Sequence, residues 1–170
     1  MTKWLKSLVY VAAGFALIAT TQVEIANADP IKTRRAIMKE LSGHNKAIKK
    51  YLKGHKNPKK EARLGTAGDM EFRALAMAGL GQRLLTMFPK GTSLKDKPGK
   101  TRAKPAIWSK SGDFRKAAKV LVSWSNDLEN AAATGDKAKI AAAMKGFGKT
   151  ACGTCHKTFR GPKPKKKKTS

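Results

Sequence analysis

Residues 152–156 read Cys152-Gly153-Thr154-Cys155-His156, and these two cysteines are the only ones in the 170-residue chain. The pattern Cys-x-x-Cys-His is the attachment signature of haem c. Its two thiols add across the two vinyl groups of haem, and its histidine binds the iron. On an α-helix, residues three and four apart share one face, so both thiols and the imidazole can point the same way. The stretch therefore predicts a helical haem platform near the C-terminal end.

Two other uses of this pattern fit the rest of the sequence less well. A thioredoxin-like dithiol starts a helix in a βαβ unit, and no strand-rich pattern occurs here. A structural zinc site needs four ligands, but His44 and His55 lie far from the motif and there is no second cysteine pair. Haem attachment would consume both thiols. The fold must then rest on packing and the haem, without a disulfide.

Upstream of the motif, apolar residues recur at helical spacing. A first helix is expected from the N-cap pair Asp29-Pro30 to a stop at Gly54, with a loop at residues 56–60. A second helix is expected at about residues 67–87. The inner face of the first helix is predicted to carry Met38, Leu41, Asn45, Ile48 and Leu52, and that of the second Phe72, Leu75, Ala76, Gly79, Leu84 and Phe88.

A long crossover at residues 90–111 separates these helices from two more. The third is expected at about 112–133 and the fourth at about 137–160, with Asp136 as its N-cap. Their predicted inner faces carry Phe114, Ala117, Leu121, Ser125, Leu128 and Ala132, then Ile140, Met144, Phe147, Ala151 and Cys155. Four amphipathic helices of this length predict an all-α, antiparallel four-helix bundle with covalently bound haem c.

The N-terminal residues predict export. Lys3 and Lys6 precede an apolar stretch at residues 8–19, and Ala26-Asn27-Ala28 forms a small-x-small cleavage site. This pattern is typical of a secretory signal peptide at residues 1–28. The alternative is a membrane anchor, but the apolar run is shorter than the about 20 residues that a spanning helix needs. We expect cleavage after Ala28 and a periplasmic location, because haem c is attached outside the bacterial cytoplasm in the best-known systems.

The charge is strongly positive. The chain has 37 basic and 11 acidic residues, and removal of residues 1–28 leaves a net charge of +25. The bundle domain is expected at residues 29–160 and a disordered, lysine-rich tail at 161–170. Such charge favours an acidic redox partner protein, or an anionic membrane surface through the tail, although a merely solvated tail is the simpler interpretation. No specific nucleic-acid binding is expected, since charge alone gives only nonspecific, salt-sensitive binding.

With its motif on the last helix, the chain resembles the class II c-type cytochromes, the cytochrome c-prime and cytochrome c-556 family. The resemblance lies in residues 34–39 (Arg-Arg-Ala-Ile-Met-Lys), in 88–92 and 101–108 of the crossover, and in 135–160. It implies one covalently attached haem c and a haem protein that carries electrons rather than an enzyme. It also implies that Cys152 and Cys155 anchor the haem, that His156 is the proximal iron ligand, and that a homodimer can form through the first two helices.

The resemblance places Met38, four residues after Arg34, on the distal side of the haem. In the cytochrome c-556 branch a methionine there binds the iron, which gives a six-coordinate, low-spin centre suited to electron transfer. In the cytochrome c-prime branch the residue does not bind, and the iron takes nitric oxide or a similar gas. We expect Met38 to be a ligand and keep gas binding as the alternative. Met38 could also be only a core filler, and a haem-free basic interaction protein is a more distant rival.

Three further expectations follow from the resemblance. Arg34 is expected near a haem propionate, and Arg160 near the proximal histidine. Asn45 departs from the family, which often has an apolar residue there, and a buried asparagine needs a hydrogen-bond partner.

Overall fold

The computed structural model describes residues 29–163; the predicted signal peptide and residues 164–170 of the predicted tail lie outside this range. Helix α1 spans Pro30–Lys53. The Asp29 carboxylate accepts hydrogen bonds from the backbone N–H groups of Ile31 (2.8 Å) and Lys32 (3.3 Å). Gly54 follows the helix with φ +69°, a left-handed conformation that favours glycine. Both predicted ends of the first helix are confirmed.

Two short turns of helix occupy the region predicted as a loop. Helix α2 spans Pro58–Glu61 and is followed by a 3-10 turn at Ala62–Leu64. Helix α3 spans Ala67–Leu84. It begins with a capping box, in which the Thr66 hydroxyl accepts from the Asp69 N–H and the Asp69 carboxylate accepts from the Thr66 N–H.

The predicted inner face of α3 is partly wrong. Phe72 and Leu75 are 68% and 52% exposed. The buried stripe instead contains Met70, Ala74, Met77, Ala78, Leu80, Gly81 and Leu84. Both stripes have helical spacing, so periodicity alone does not select between them. Packing selects the stripe that contains Gly81, where α3 comes so close to its neighbouring helix that an added Cβ would lie 3.0 Å from Val122 Cγ2.

Helix α4 spans Ala106–Ser109 within the crossover, and helix α5 spans Ser111–Ala133. All six residues predicted for the inner face of α5 are buried. The one polar member, Ser125, is fully buried, and its hydroxyl donates to the Leu121 carbonyl at 2.8 Å. That internal hydrogen bond satisfies the hydroxyl without a partner from another helix.

The fourth helix is broken, contrary to the prediction of one continuous helix at 137–160. Helix α6 spans Lys137–Met144, a π-helical turn spans Gly148–Gly153, and helix α7 spans Thr154–Phe159. The break falls where Gly146 adopts φ +81°. A π turn contains an extra residue and often occurs at functional sites. Here it places Cys152 in the π turn and Cys155 in α7.

The long helices form a four-helix bundle, in which α3 packs on α1 and α5, and the broken fourth helix packs on α5. The main core cluster contains Ile37, Leu41, Ile48, Met70, Met77, Leu84, Leu121, Leu128, Ile140 and Phe147. A second, smaller cluster joins the crossover to α5 and α7 through Ala103, Ile107, Phe114, Ala117 and Phe159. None of the described helices is long and apolar enough to cross a membrane.

Two glycines of α3 provide a matched test of this packing. A Cβ at Gly81 would lie 3.0 Å from Cγ2 of Val122 on α5, whereas a Cβ at Gly79 would meet nothing within 4 Å. We expect Gly79→Ala to stabilise the protein by about 0.5–1 kcal/mol through helix propensity. In Gly81→Ala the same gain is offset by an overpacking cost of about 1–3 kcal/mol. Urea unfolding of the two variants checks this, and equal stabilisation by both would contradict the close approach of α3 and α5.

Candidate haem site

Two adjoining cavities of about 300 and 240 Å³ lie beside the Cys-x-x-Cys-His motif. Both are lined by Met38, Ser42, Cys155 and His156. The smaller, inner cavity is further lined by Leu41, Asn45, Met77, Leu84, Ala117, Ala118, Leu121, Ala151 and Cys152. The larger, outer cavity is further lined by Arg34, Phe88, Thr101, Arg102, Ala103, Ile107, Phe114, Phe159 and Arg160. Together they form one cleft between α1 and α7, within the size range of cofactor sites.

Both cysteines lie in the wall of this cleft and are half-buried free thiols. Burial, followed by the proximity of Cys152, raises the pKa of the Cys155 thiol to about 11. Burial also raises the pKa of the Cys152 thiol, and the positive charge of Lys49 opposes this. Two protonated thiols on one wall of a largely apolar cleft fit the addition of thiols to the vinyl groups of haem.

His156 lines both cavities from α7. Its pKa is lowered by burial, and then by the positive charges of Arg160 and Arg102. These effects favour the neutral imidazole, which is the form that binds a metal. Among the described residues no group of three or more His, Cys, Asp and Glu side chains could hold a metal ion. The residues present fit a haem held by two thioethers and one imidazole.

Met38 lines both cavities from α1, a different helix from that of His156. Its side chain is half-buried and also packs against the main core cluster. The position is therefore compatible both with a distal ligand and with a core methionine. The proximal side offers no such alternative, because His156 is the only histidine that lines the cleft.

Arg34 is buried, with 4% exposure. Its guanidinium donates to the Thr92 hydroxyl (2.9 Å), the Thr92 carbonyl (2.5 Å) and the Thr101 hydroxyl (2.6 Å). It also lies 5.0 Å from the centre of the Phe88 ring, in cation–π geometry. Arg34 lines the outer cavity, as a propionate partner would, but these contacts also give it a structural role that the sequence did not predict: it holds the crossover against α1.

Arg102 lines the outer cavity, although the sequence analysis did not predict it as a site residue. Its Nε donates to the Gly161 carbonyl at 2.7 Å, and the Gly161 N–H donates to the Arg102 carbonyl at 2.7 Å. Ala103 and Arg160 form an isolated antiparallel bridge beside them. Among the described residues, the wall of the outer cavity contains three arginines and no acidic side chain. The crossover stretch quoted for the family resemblance contained Arg102, but only the tertiary fold brings it beside the end of α7.

Trp108 joins the crossover to the end of α3. Its indole N–H donates to the Phe88 carbonyl at 3.0 Å, and the two rings meet edge to face with centroids 6.2 Å apart. Phe88 in turn packs edge to face on Phe114 at 4.8 Å. Phe88 and Phe114 of this aromatic group line the outer cavity.

The chain is similar in sequence and in fold to known proteins. The sequence profile of the family described as Cytochrome C' matches residues 29–160. Cytochrome c' of Rhodospirillum rubrum is 34% identical over 157 residues, which cover 92% of this chain and 99% of that protein. Cytochrome c-556 of Agrobacterium tumefaciens (strain B2A) is 32% identical over 135 residues, which cover 78% of this chain and 98% of that protein. A solved cytochrome c' with an unusual ligand-controlled dimer dissociation superposes with a TM-score of 0.66 at 28% identity, covering 78% and 95% of the two chains.

The fold and the cleft define a four-helix-bundle haem protein. The chain belongs to the cytochrome c' family, the class II c-type cytochromes that include cytochrome c-556. Members of this family bind covalently attached haem c, as the motif predicted. The predictions of family, fold class and cofactor are confirmed.

The structural role of Arg34 can be tested by a substitution that keeps its charge. Lysine lacks the planar fork that reaches both threonines, so Arg34→Lys should lower the free energy of unfolding by about 2–3 kcal/mol. It should also speed tryptic cleavage in the lysine-rich segment 90–100. The exposed neighbour provides the control, because Arg35→Lys should change neither quantity. Unchanged stability and cleavage in Arg34→Lys would contradict the anchoring role.

Proposed function

We propose that this chain is a periplasmic, monohaem cytochrome c' whose iron keeps an open sixth position and binds nitric oxide or a similar small gas. The observation that carries the proposal is the inner cavity, whose wall beside His156 is formed mainly by apolar side chains of three helices. A mainly apolar wall favours a diatomic gas molecule over water. The sequence favours the six-coordinate electron carrier, but the family profile and the Rhodospirillum rubrum relative, which is 34% identical and covers 92% of this chain, favour cytochrome c'.

In this proposal each group of residues has a distinct task. Cys152 and Cys155 hold the haem, which supplies an iron that can bind a small ligand. His156 binds the iron from the proximal side as a neutral imidazole. Arg160 and Arg102, whose charges lower the pKa of His156, polarise the proximal side. Arg34 holds the outer wall in place and, on the family resemblance, lies near a haem carboxylate.

The packing of Met38 supports an open distal side. Its side chain contacts the main core cluster, which already accounts for an apolar residue at this position. If Met38 only packs in the core, it does not bind the iron. Substituting Met38 would then leave the coordination number of the iron unchanged.

A second candidate is the six-coordinate electron carrier with Met38 as the distal ligand. Its support is that Met38 lines both cavities together with His156, and that a cytochrome c-556 is among the relatives. A thioether stabilises ferrous iron and raises the reduction potential. A ligand set that is the same in both oxidation states would also keep reorganisation small during electron transfer.

The visible absorption spectrum separates the two candidates. An open site predicts a broad, high-spin ferrous spectrum, ready uptake of carbon monoxide, and little change in Met38→Ala. A ligating Met38 predicts sharp, split low-spin bands that become high-spin in Met38→Ala. Met144→Leu is the matched control, because Met144 is also half-buried against the main core but lines neither cavity. A low-spin spectrum that Met38→Ala converts would therefore overturn the gas-binding proposal.

The surface supports three proposals about partners. The excess of basic over acidic residues favours an acidic redox partner protein, with an association rate that falls as salt rises. The lysine-rich tail would add attraction to an anionic membrane surface. A homodimer through α1 and α3 is supported by the exposed Phe72 and Leu75 on α3 and by the dimeric relative.

The dimer proposal predicts a concentration-dependent mass for the haem-loaded protein in sedimentation experiments. Phe72→Glu should shift the equilibrium to monomer, because a charge replaces a large apolar contact. Gln82→Glu adds the same charge on exposed surface of α3 and should have a much smaller effect. A wild-type protein that stays monomeric at high concentration would contradict the dimer.

A further inference from the structure

Two polar side chains interrupt the apolar wall of the inner cavity. Ser42 and Asn45 line it from α1, whereas apart from the motif the other lining residues on the helices are aliphatic, methionine or alanine. Neither side chain takes part in a hydrogen bond to another described residue. Ser42 is exposed, so the position of Asn45 needs an explanation beyond core packing more than that of Ser42 does.

The missing hydrogen-bond partner is most evident at Asn45. Its Oδ1 is buried and has no hydrogen-bond partner among the described residues. A buried acceptor without a partner carries the full cost of losing water, and native proteins seldom retain such groups. Leu41, Met77 and Leu121, which line the same cavity, have no side-chain donor, so a small molecule in the cavity can supply the missing partner of this oxygen.

The spacing places both residues on the cleft face of α1, next to Met38. Ser42 follows Met38 by four residues and Asn45 follows Ser42 by three, so all three share one face of the helix. Helical side chains lean toward the N-terminus, and both polar groups therefore lean toward Met38. Ser42 also lines both cavities, which places it at their junction beside Met38 and His156.

We propose that Ser42 and Asn45 together hold one water molecule on the distal side of the cleft, and that this water hydrogen-bonds a ligand at the sixth iron position. The water accepts from the Ser42 hydroxyl, donates one hydrogen to Asn45 Oδ1 and directs the other to the ligand. This gives it three partners, the usual number for a buried water. The proposal rests on the open site proposed above and adds specificity: ligands that accept a hydrogen bond are favoured over those that do not.

The test compares two probes in the haem-loaded protein. Fluoride bound to ferric haem is a strong hydrogen-bond acceptor, so Ser42→Ala and Asn45→Leu should each lower its affinity about five-fold, the equivalent of one hydrogen bond. The infrared C–O stretch of the ferrous carbon monoxide complex should move to higher frequency in both variants. Gly43→Ala is the control, because Gly43 is exposed and a Cβ there meets nothing within 4 Å.

The outcomes separate this proposal from the proposed function. If Ser42→Ala and Asn45→Leu both keep the fluoride affinity and the C–O stretching frequency of the wild type, the water site is overturned. The proposal of an open iron site is not affected by that result. An equal change in Gly43→Ala would also overturn the water site. If the wild-type spectrum is low-spin, the open-site proposal fails, and the same comparison is made in a Met38→Ala background. Ser42 is exposed, so Ser42→Ala gives a result even where Asn45→Leu does not fold.

Discussion

A buried guanidinium that forms no ion pair with any described residue fixes the outer wall of the haem cleft to the first helix. Arg34 is held by two threonines of the crossover and by the face of Phe88, and so it ties a long segment without regular structure to the first helix. That segment supplies the outer wall of the cleft. The threonine oxygens and the Phe88 ring contact the guanidinium directly, whereas Asp29 acts on it only through its charge and without an ion pair. Arg102 and Arg160 add to its positive charge, so the outer cavity suits the negative carboxylates of a haem.

The inner cavity is shaped by a different interaction, in which small residues let neighbouring helices approach closely. Gly81 lets α3 approach α5, and alanines of α5 and the π turn line the cavity. The π turn then carries Cys152 into the same wall as Cys155. One half of the cleft is therefore positive and the other mainly apolar, which matches a planar group with charged substituents at one edge and hydrocarbon at the other.

The ends and faces of most helices could be predicted because local chemistry sets them. Asp29 and Gly54 bound α1 through a side-chain cap and a left-handed glycine, and every residue predicted for the inner face of α5 is buried. The outward position of Phe72 and Leu75 could not be predicted, since two stripes of α3 have equal periodicity and packing against α5 selects between them. The break at Gly146 was missed because glycine within a periodic segment is compatible with either a continuous or an interrupted helix.

The sequence by itself determined the cofactor and the family, because thiol and imidazole chemistry at fixed spacing needs no distant partner to be recognised. It also indicated four helices, through an apolar period that each segment carries alone. The family resemblance placed Met38 and Arg34 near the haem, but only the tertiary structure showed that Asn45 and Arg102 share the cleft with the motif. Met38, Arg34 and Asn45 come from the first helix, and Arg102 from the crossover, more than fifty residues from His156. Their convergence follows from how helices pack and how buried polar groups find partners, and those are properties of the folded chain.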